Sequence, residues 1–251
     1  MSLFNLTGRW AIVTGANTGI GQAIAFGLAQ AGADVVGVGR SAMNETADAV
    51  ISTGRRFVSL KADLSDTGEA RDVIERALAA GASPDILVNN AGIIRRADAL
   101  EFTEEDWDAV LDTNLKSVFF LCQAFARAAL ARQSPAKIIN IASLLSFQGG
   151  IRIPSYTAAK SGLAGITRLM ANEWASKGIN VNAIAPGYVE TSNTEALRAD
   201  AERSADILKR IPAARWAKAE DMAGTAVYLA SRASDYVHGT VLPVDGGWLA
   251  R

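Results

Sequence analysis

Tyr156 and Lys160 stand four residues apart in the stretch IPSYTAAKSG, residues 153–162. On a helix, positions i and i+4 lie one above the other on a single face. A phenol and an ammonium would then be neighbours, separated along the chain only by Thr157, Ala158 and Ala159. An ordinary phenol, with a pKa of about 10, is a poor base near neutrality, and a close cation favours its phenolate form. Each tenfold gain in phenolate requires about 1.4 kcal/mol, which a cation in a partly desolvated cleft can supply. The pair therefore suits proton exchange with an alcohol or carbonyl oxygen. Such a spacing also occurs on ordinary helices, so the remainder of the chain has to support it.

Other chemistries are poorly provided for. His238 is the single histidine and Cys122 the single cysteine among 251 residues. One histidine cannot build a multi-histidine metal site, no CxxC or HExxH is present, and no internal disulfide can form. Cys122 lies in the apolar stretch SVFFLCQAF and reads as a packed thiol, and His238 reads as structural or interfacial. A net charge of −1 without a basic run argues against nucleic acid or an anionic membrane as the main partner. No apolar run approaches the length of a membrane span, and the N-terminus lacks the pattern of a signal peptide. A cytoplasmic location is the expectation. With 49% hydrophobic and 20% charged residues, the chain can bury a globular core.

Short apolar runs alternate with helical patterns along the whole chain. Strands are expected at 10–15, 34–39, 57–62, 85–90, 137–143, 179–185 and 240–246. Helices are expected at 19–31, 42–53, 67–80, 103–132, 156–177 and 220–231, with Thr103 as a cap before the acidic start at 104–106. Strands that are apolar throughout suit a parallel sheet covered on both faces. The reading is one α/β domain over residues 1–251: a Rossmann-type, doubly wound, seven-stranded parallel sheet with helices on both faces. The segment from Gly187 to about residue 212 reads as a substrate lid.

The first strand runs into TGANTGIG, which places Gly15, Gly19 and Gly21 at a strand-to-helix turn. Glycines there allow a tight turn and close approach of the backbone to a pyrophosphate, which a helix N-terminus also attracts. No G-K-[ST] follows, which disfavours a nucleoside triphosphatase.

The spacing TGxxxGxG resembles the cofactor loop of the short-chain dehydrogenase/reductase family. Further landmarks of that family follow in order across residues 7–247. They are ADL at 62–64, NNAG at 89–92, Asn114 in DTNLKS, Ser143 thirteen residues before Tyr156, and Pro186-Gly187 with Val189 and Thr191. The resemblance implies hydride transfer between a nicotinamide and an alcohol or carbonyl. It implies that Tyr156 exchanges the proton, Ser143 donates a hydrogen bond to the substrate oxygen, Lys160 binds the nicotinamide ribose, and Asn114 supports a water relay. NAD or NADP would contact Gly15, Asn17, Thr18, Gly19, Ile20, Gly21, Arg40, Asp63, Leu64, Asn90, Ala91, Gly92, Pro186, Gly187, Val189 and Thr191, together with Tyr156 and Lys160. The family position for an acidic, ribose-binding residue is Gly39 here, and Arg40 follows it. An arginine suits a 2′-phosphate, so the preference leans toward NADP. A homotetramer is common in the family, with helix faces around 103–132 and 156–177 as its surfaces.

NNAGIIRRADALEF (89–102), IASLLSFQGGIRIPSY (141–156), APGYVETSNTEALRAD (185–200) and the ending VDGGWLAR (244–251) resemble the branch of the family that works on six-carbon sugar acids of the deoxygluconate type. The branch implies keto–alcohol interconversion on such an acid. Gluconate dehydrogenases, 3-oxoacyl-thioester reductases and steroid-type dehydrogenases are alternatives within the family, and a non-catalytic nucleotide-binding protein is the alternative outside enzymes. A sugar acid needs a carboxylate partner, for which Arg95, Arg96 and Arg152 are candidates; Arg152, four residues before Tyr156, is the first choice. Gln148 is a candidate for substrate hydroxyls, beside Ser143 and Tyr156.

Overall fold

The apolar runs become seven strands, and a computed structural model describes residues 3–251. They are β1 (Trp10–Thr14), β2 (Asp34–Gly39), β3 (Phe57–Lys61), β4 (Pro84–Asn89), β5 (Ala136–Ile141), β6 (Ile179–Pro186) and β7 (Val241–Val244). All pair in parallel in the order β3-β2-β1-β4-β5-β6-β7. β1, β2 and β6 are buried at every position, which is why they lack polar alternation.

The helices are α1 (Gly19–Gln30), α2 (Asn44–Ser52), α3 (Thr67–Ala79), α4 (Glu104–Leu111), α5 (Ser117–Ala131), α6 (Pro154–Trp174), α7 (Glu195–Ala199), α8 (Ala201–Arg210) and α9 (Ala223–Ala230). Strand residues alternate between faces. Trp10 and Ile12 of β1 therefore join a core with Val73, Phe125, Leu163 and Met170 from α3, α5 and α6. Ala11 and Val13 join the opposite core, with Ile24 and Leu28 of α1 and Leu229 of α9. Strand order reverses between β1 and β4, and ligands of open α/β sheets bind beyond the strand ends at such a point. A third apolar cluster, containing Leu144, Ile207, Ile211, Trp216 and Trp248, lies outside the two sheet cores and involves α8 and the C-terminal turn.

The single helix expected over 103–132 is corrected. Thr103 does cap α4, its Oγ1 accepting from the Asp106 N–H at 3.2 Å. However, Asp112–Lys116 forms a π-helical turn between α4 and α5. The wider turn changes the angular phase of the residues in it. Polar Thr113 and Asn114 are thereby buried between two helices whose apolar faces also point inward.

Gly21 sits where α1 leaves the β1 turn. A β-carbon there would overlap the Gly15 carbonyl oxygen and the Asn90 side-chain amide. Gly21→Ala is expected to cost about 1–3 kcal/mol through overpacking and to lower Tm by about 3–10 °C in a thermal melt. An unchanged Tm would show that the turn has room to relax.

Candidate active site

Ser143 follows the end of β5 and opens a short 3₁₀ turn, where its Oγ accepts from the Leu145 N–H at 3.2 Å. Tyr156 and Lys160 occupy the first turns of α6, which starts with Pro154, a residue preorganised for a helix start. The Lys160 Nζ lies 5.5 Å from the centre of the Tyr156 ring, as the i, i+4 spacing requires. It donates to the Ile141 carbonyl at 2.6 Å and is only 4% exposed. Ser143, Tyr156 and Lys160 are thus brought together beyond the end of β5. Asn114 approaches from the π-helical turn and is committed at both ends: its Nδ2 donates to the Ile93 carbonyl at 2.8 Å and its Oδ1 accepts from the Ile93 N–H at 2.9 Å.

Burial pushes the Tyr156 hydroxyl above its ordinary value, while the Ser143 hydroxyl and the Arg96 charge pull it down. Lys160 is lowered to about 8 by burial. Cys122 is fully buried as a packed thiol, and burial raises it to about 12.

The β1–α1 turn has the features of an anion cradle. Gly15 and Gly19 adopt φ of 64° and 57°, and α1 carries neither a side-chain cap nor an acidic residue in its first turn. Its first N–H groups are therefore free to meet phosphate. Asn17, Thr18 and Ile20 belong to the same turn; the Asn17 Nδ2 donates to the Ser41 Oγ at 2.8 Å, joining the turn to the end of β2. Arg40 is exposed there, and its charge acts on the nearby Asp63 carboxylate. Asp63 is held below the usual carboxylate range, first by the Ser65 N–H and then by the Ser65 hydroxyl. The carbonyl of buried Leu64 accepts from the Ser117 hydroxyl. Asn90 holds the turn from the other side, its Nδ2 donating to the Thr14 carbonyl at 3.0 Å. Ala91 and Gly92 continue this loop, and a β-carbon on Gly92 would lie 3.0 Å from the Asn114 Oδ1. Pro186 ends β6, the Gly187 N–H donates to the Val244 carbonyl at 3.0 Å, Val189 is buried, and Thr191 lies over Gly19. An uncapped glycine-rich turn with Arg40 at the neighbouring strand end fits a dinucleotide.

Beside Ser143 and Tyr156 lies a cavity of about 470 Å³, lined also by Arg96, Gln148, Tyr188, Asn193, Arg203, Arg210 and Trp248. Arg95 and Arg152 are not among its lining residues. Arg95 pairs with Asp106 at 3.0 Å and Arg152 with Asp98 at 3.4 Å. Arg152 misses because it precedes α6 at a φ of 63°, so helical spacing to Tyr156 does not apply to it. Arg96 does line the cavity, and its Nη2 donates to the Asn193 carbonyl at 2.9 Å. Sequence reasoning did not single out Arg203, Arg210 or Trp248. The i, i+7 spacing of Arg203 and Arg210 was the available signal, since it puts both on one face of α8.

The family model described as enoyl-(acyl carrier protein) reductase matches residues 15–249. The 2-dehydro-3-deoxy-D-gluconate 5-dehydrogenase of Escherichia coli (strain K12) is 59% identical over 251 residues, covering 100% of this chain and 99% of the relative. Its namesake in Bacillus subtilis (strain 168) is 55% identical, with 99% and 97% covered. A crystal structure of a putative 2-deoxy-D-gluconate 3-dehydrogenase from Agrobacterium tumefaciens, with bound NADP, is 62% identical and superposes over 100% of both chains with a TM-score of 0.96. With similarity along the whole chain and a serine, tyrosine and lysine gathered beyond β5, the chain belongs to the short-chain dehydrogenase/reductase family of oxidoreductases.

Proposed function

We propose that this protein interconverts a hydroxyl and a keto group on a six-carbon sugar acid, as a 2-dehydro-3-deoxy-D-gluconate 5-dehydrogenase using NADP or NAD. The observation that carries this reading is the composition of one cavity. Ser143 and Tyr156 face it together with Arg96, Arg203 and Arg210. None of these three arginines forms a salt bridge with a carboxylate among the described residues, and Asp206, the one carboxylate in the lining, pairs with Lys209 at 3.1 Å, so the cavity is suited to an anionic, polar substrate. The relatives' names point to the same substrate class.

In the oxidative direction the Tyr156 Oη takes the proton of the substrate hydroxyl as the hydride leaves the same carbon. The Ser143 Oγ donates a hydrogen bond to the reacting oxygen and holds it at the tyrosine. A bound nicotinamide supplies the hydride acceptor, and its positive charge when oxidised favours the phenolate. Lys160 contributes its charge and a donor to the nicotinamide ribose, while Asn114 holds the loop after β4 in place and supports the proton route. The glycine turn, with Asn17, Thr18 and Ile20, holds the pyrophosphate, and Asp63, Leu64, Asn90, Ala91 and Gly92 line the adenosine side. Pro186, Gly187, Val189 and Thr191 close over the nicotinamide. Arg40, exposed at the end of β2, meets a 2′-phosphate, in line with the NADP bound to the Agrobacterium relative. The segment 187–212, which includes α7 and α8, acts as the lid within one domain.

The assembly is read as a homotetramer, supported by the exposed Trp107, Leu130 and Leu169 on α4, α5 and α6. A cytoplasmic location accompanies this reading; no helix among the described residues is long and apolar enough to cross a membrane.

Absorbance assays on a panel of uronates, aldonates and their keto forms, with both coenzymes in parallel, are expected to find turnover of a keto-deoxy sugar acid. Lack of turnover of any sugar acid would reject the substrate class. Tyr156→Phe should lower kcat by on the order of 10²–10⁴ while coenzyme Kd holds, since only the proton step is removed. Arg40→Asp should move the NADP/NAD ratio of kcat/KM toward NAD by about 10- to 100-fold, the worth of a charged hydrogen bond; an unmoved ratio would remove Arg40 from that role.

Lys160 provides a pH test. Its folded value of about 8 lies below the unfolded value of about 10.4, so the unfolded chain binds more protons between the two. Stability relative to Lys160→Met should therefore rise between about pH 8 and about pH 10, by up to about 3 kcal/mol. Denaturant titrations at the two pH values give the difference, and a flat one would contradict a buried ammonium.

A further inference from the structure

Trp248 lies in the last turn of the chain, beyond every strand, yet it is only 4% exposed and lines the cavity. Asp245 pins the turn, its carboxylate accepting from the Gly247 and Leu249 N–H groups, both at 2.9 Å. The indole ring packs against Tyr188 with centroids 4.7 Å apart and the planes tilted by 56°, and the Arg210 guanidinium lies 4.1 Å over it. Its Nε1 donates to the Gln148 Oε1 at 3.2 Å.

An indole N–H can only donate. It therefore fixes which way the Gln148 amide faces: the oxygen is taken by Trp248, and the NH₂ group is left for the cavity. Arg210 likewise offers only donors. One tail residue thus arranges two donor groups, one through its N–H and one through its ring face.

We propose that Trp248 is a positioning residue that makes Gln148 and Arg210 a carboxylate subsite in the cavity that Tyr156 also lines. The inference rests on the sugar-acid reading and deepens it. Two oriented donors, one of them charged, suit a carboxylate, which carries only acceptors and a full negative charge, better than a neutral hydroxymethyl group.

The test compares the sugar acid with its analogue bearing a hydroxymethyl group in place of the carboxylate. Trp248→Phe keeps the ring beside Arg210 and Tyr188 and deletes only the donor. It is expected to raise KM for the acid about 3- to 10-fold, as loss of one oriented hydrogen bond does, with kcat within about twofold and KM for the analogue unmoved. Gln148→Glu, which places a carboxylate against the substrate's own, should raise KM for the acid at least about tenfold and spare the analogue. Calorimetric titration of the acid into the protein–coenzyme complex should show the same loss of affinity in both variants. Equal effects on acid and analogue, or no effect of Trp248→Phe on either, would overturn the subsite. A wild-type enzyme inactive on every sugar acid would instead bring down the functional reading on which the subsite stands.

Discussion

A buried ammonium bonded to a backbone carbonyl ties the proton-transfer helix to the sheet. Lys160, on α6, donates to the Ile141 carbonyl at the last position of β5. Burying a charge without a carboxylate to pair with it is costly, and here the cost appears as a lysine lowered to about 8. In return the contact sets the height and rotation of α6 against the strand end, and with it the position of Tyr156 relative to Ser143. Perturbed groups gathered at a cleft mark a place where stability has been given up for chemistry. Tyr156, raised by its own burial, belongs to the same arrangement.

Two asparagines play the corresponding part beyond the end of the neighbouring strand, β4. Asn114 clamps the Ile93 backbone in both directions, and Asn90 reaches across to the Thr14 carbonyl. Asn114 uses both ends of its amide and Asn90 its NH₂ group, each to hold a loop that leaves the sheet. Regular strands cannot supply this, because their ladder hydrogen bonds end where the chain turns away. The π-helical turn is what brings Asn114 inward, so a local irregularity in one helix is tied to the shape of a loop after β4. The substrate side is built differently: α7, α8 and the C-terminal turn rest on a small cluster of their own around Ile207, Trp216 and Trp248. A segment held by few buried contacts opens more easily than a sheet core.

Much of this was legible in the chain. The uninterrupted apolar runs announced strands buried on both faces, and each observed strand lies within two residues of its expected ends. The four-residue gap from Tyr156 to Lys160 put both on one helical face because helical periodicity is a local property. The glycines at 15, 19 and 21 were likewise readable, since a left-handed or overcrowded backbone position excludes most side chains. Among the arginines, Arg96 was, while Arg203 and Arg210 were not singled out. Arg152 looked adjacent to Tyr156 only on the assumption that the helix already includes it, and a positive φ at 152 turns it away.

What the sequence by itself determined is the set of local rules: which segments are strands, which turn is rich in glycine, and which residues share a helical face. What only the tertiary structure decided is which distant segments meet. That Arg96, Arg203 and Arg210 face the same cavity as Tyr156, and that an indole from the last turn orients Gln148 a hundred residues earlier, depend on how α8 and the tail pack over the sheet edge. The direction of the Tyr156 shift was decided the same way. A proximity along a helix gives a distance, but burial and the bond that Lys160 makes to Ile141 are properties of the assembled core.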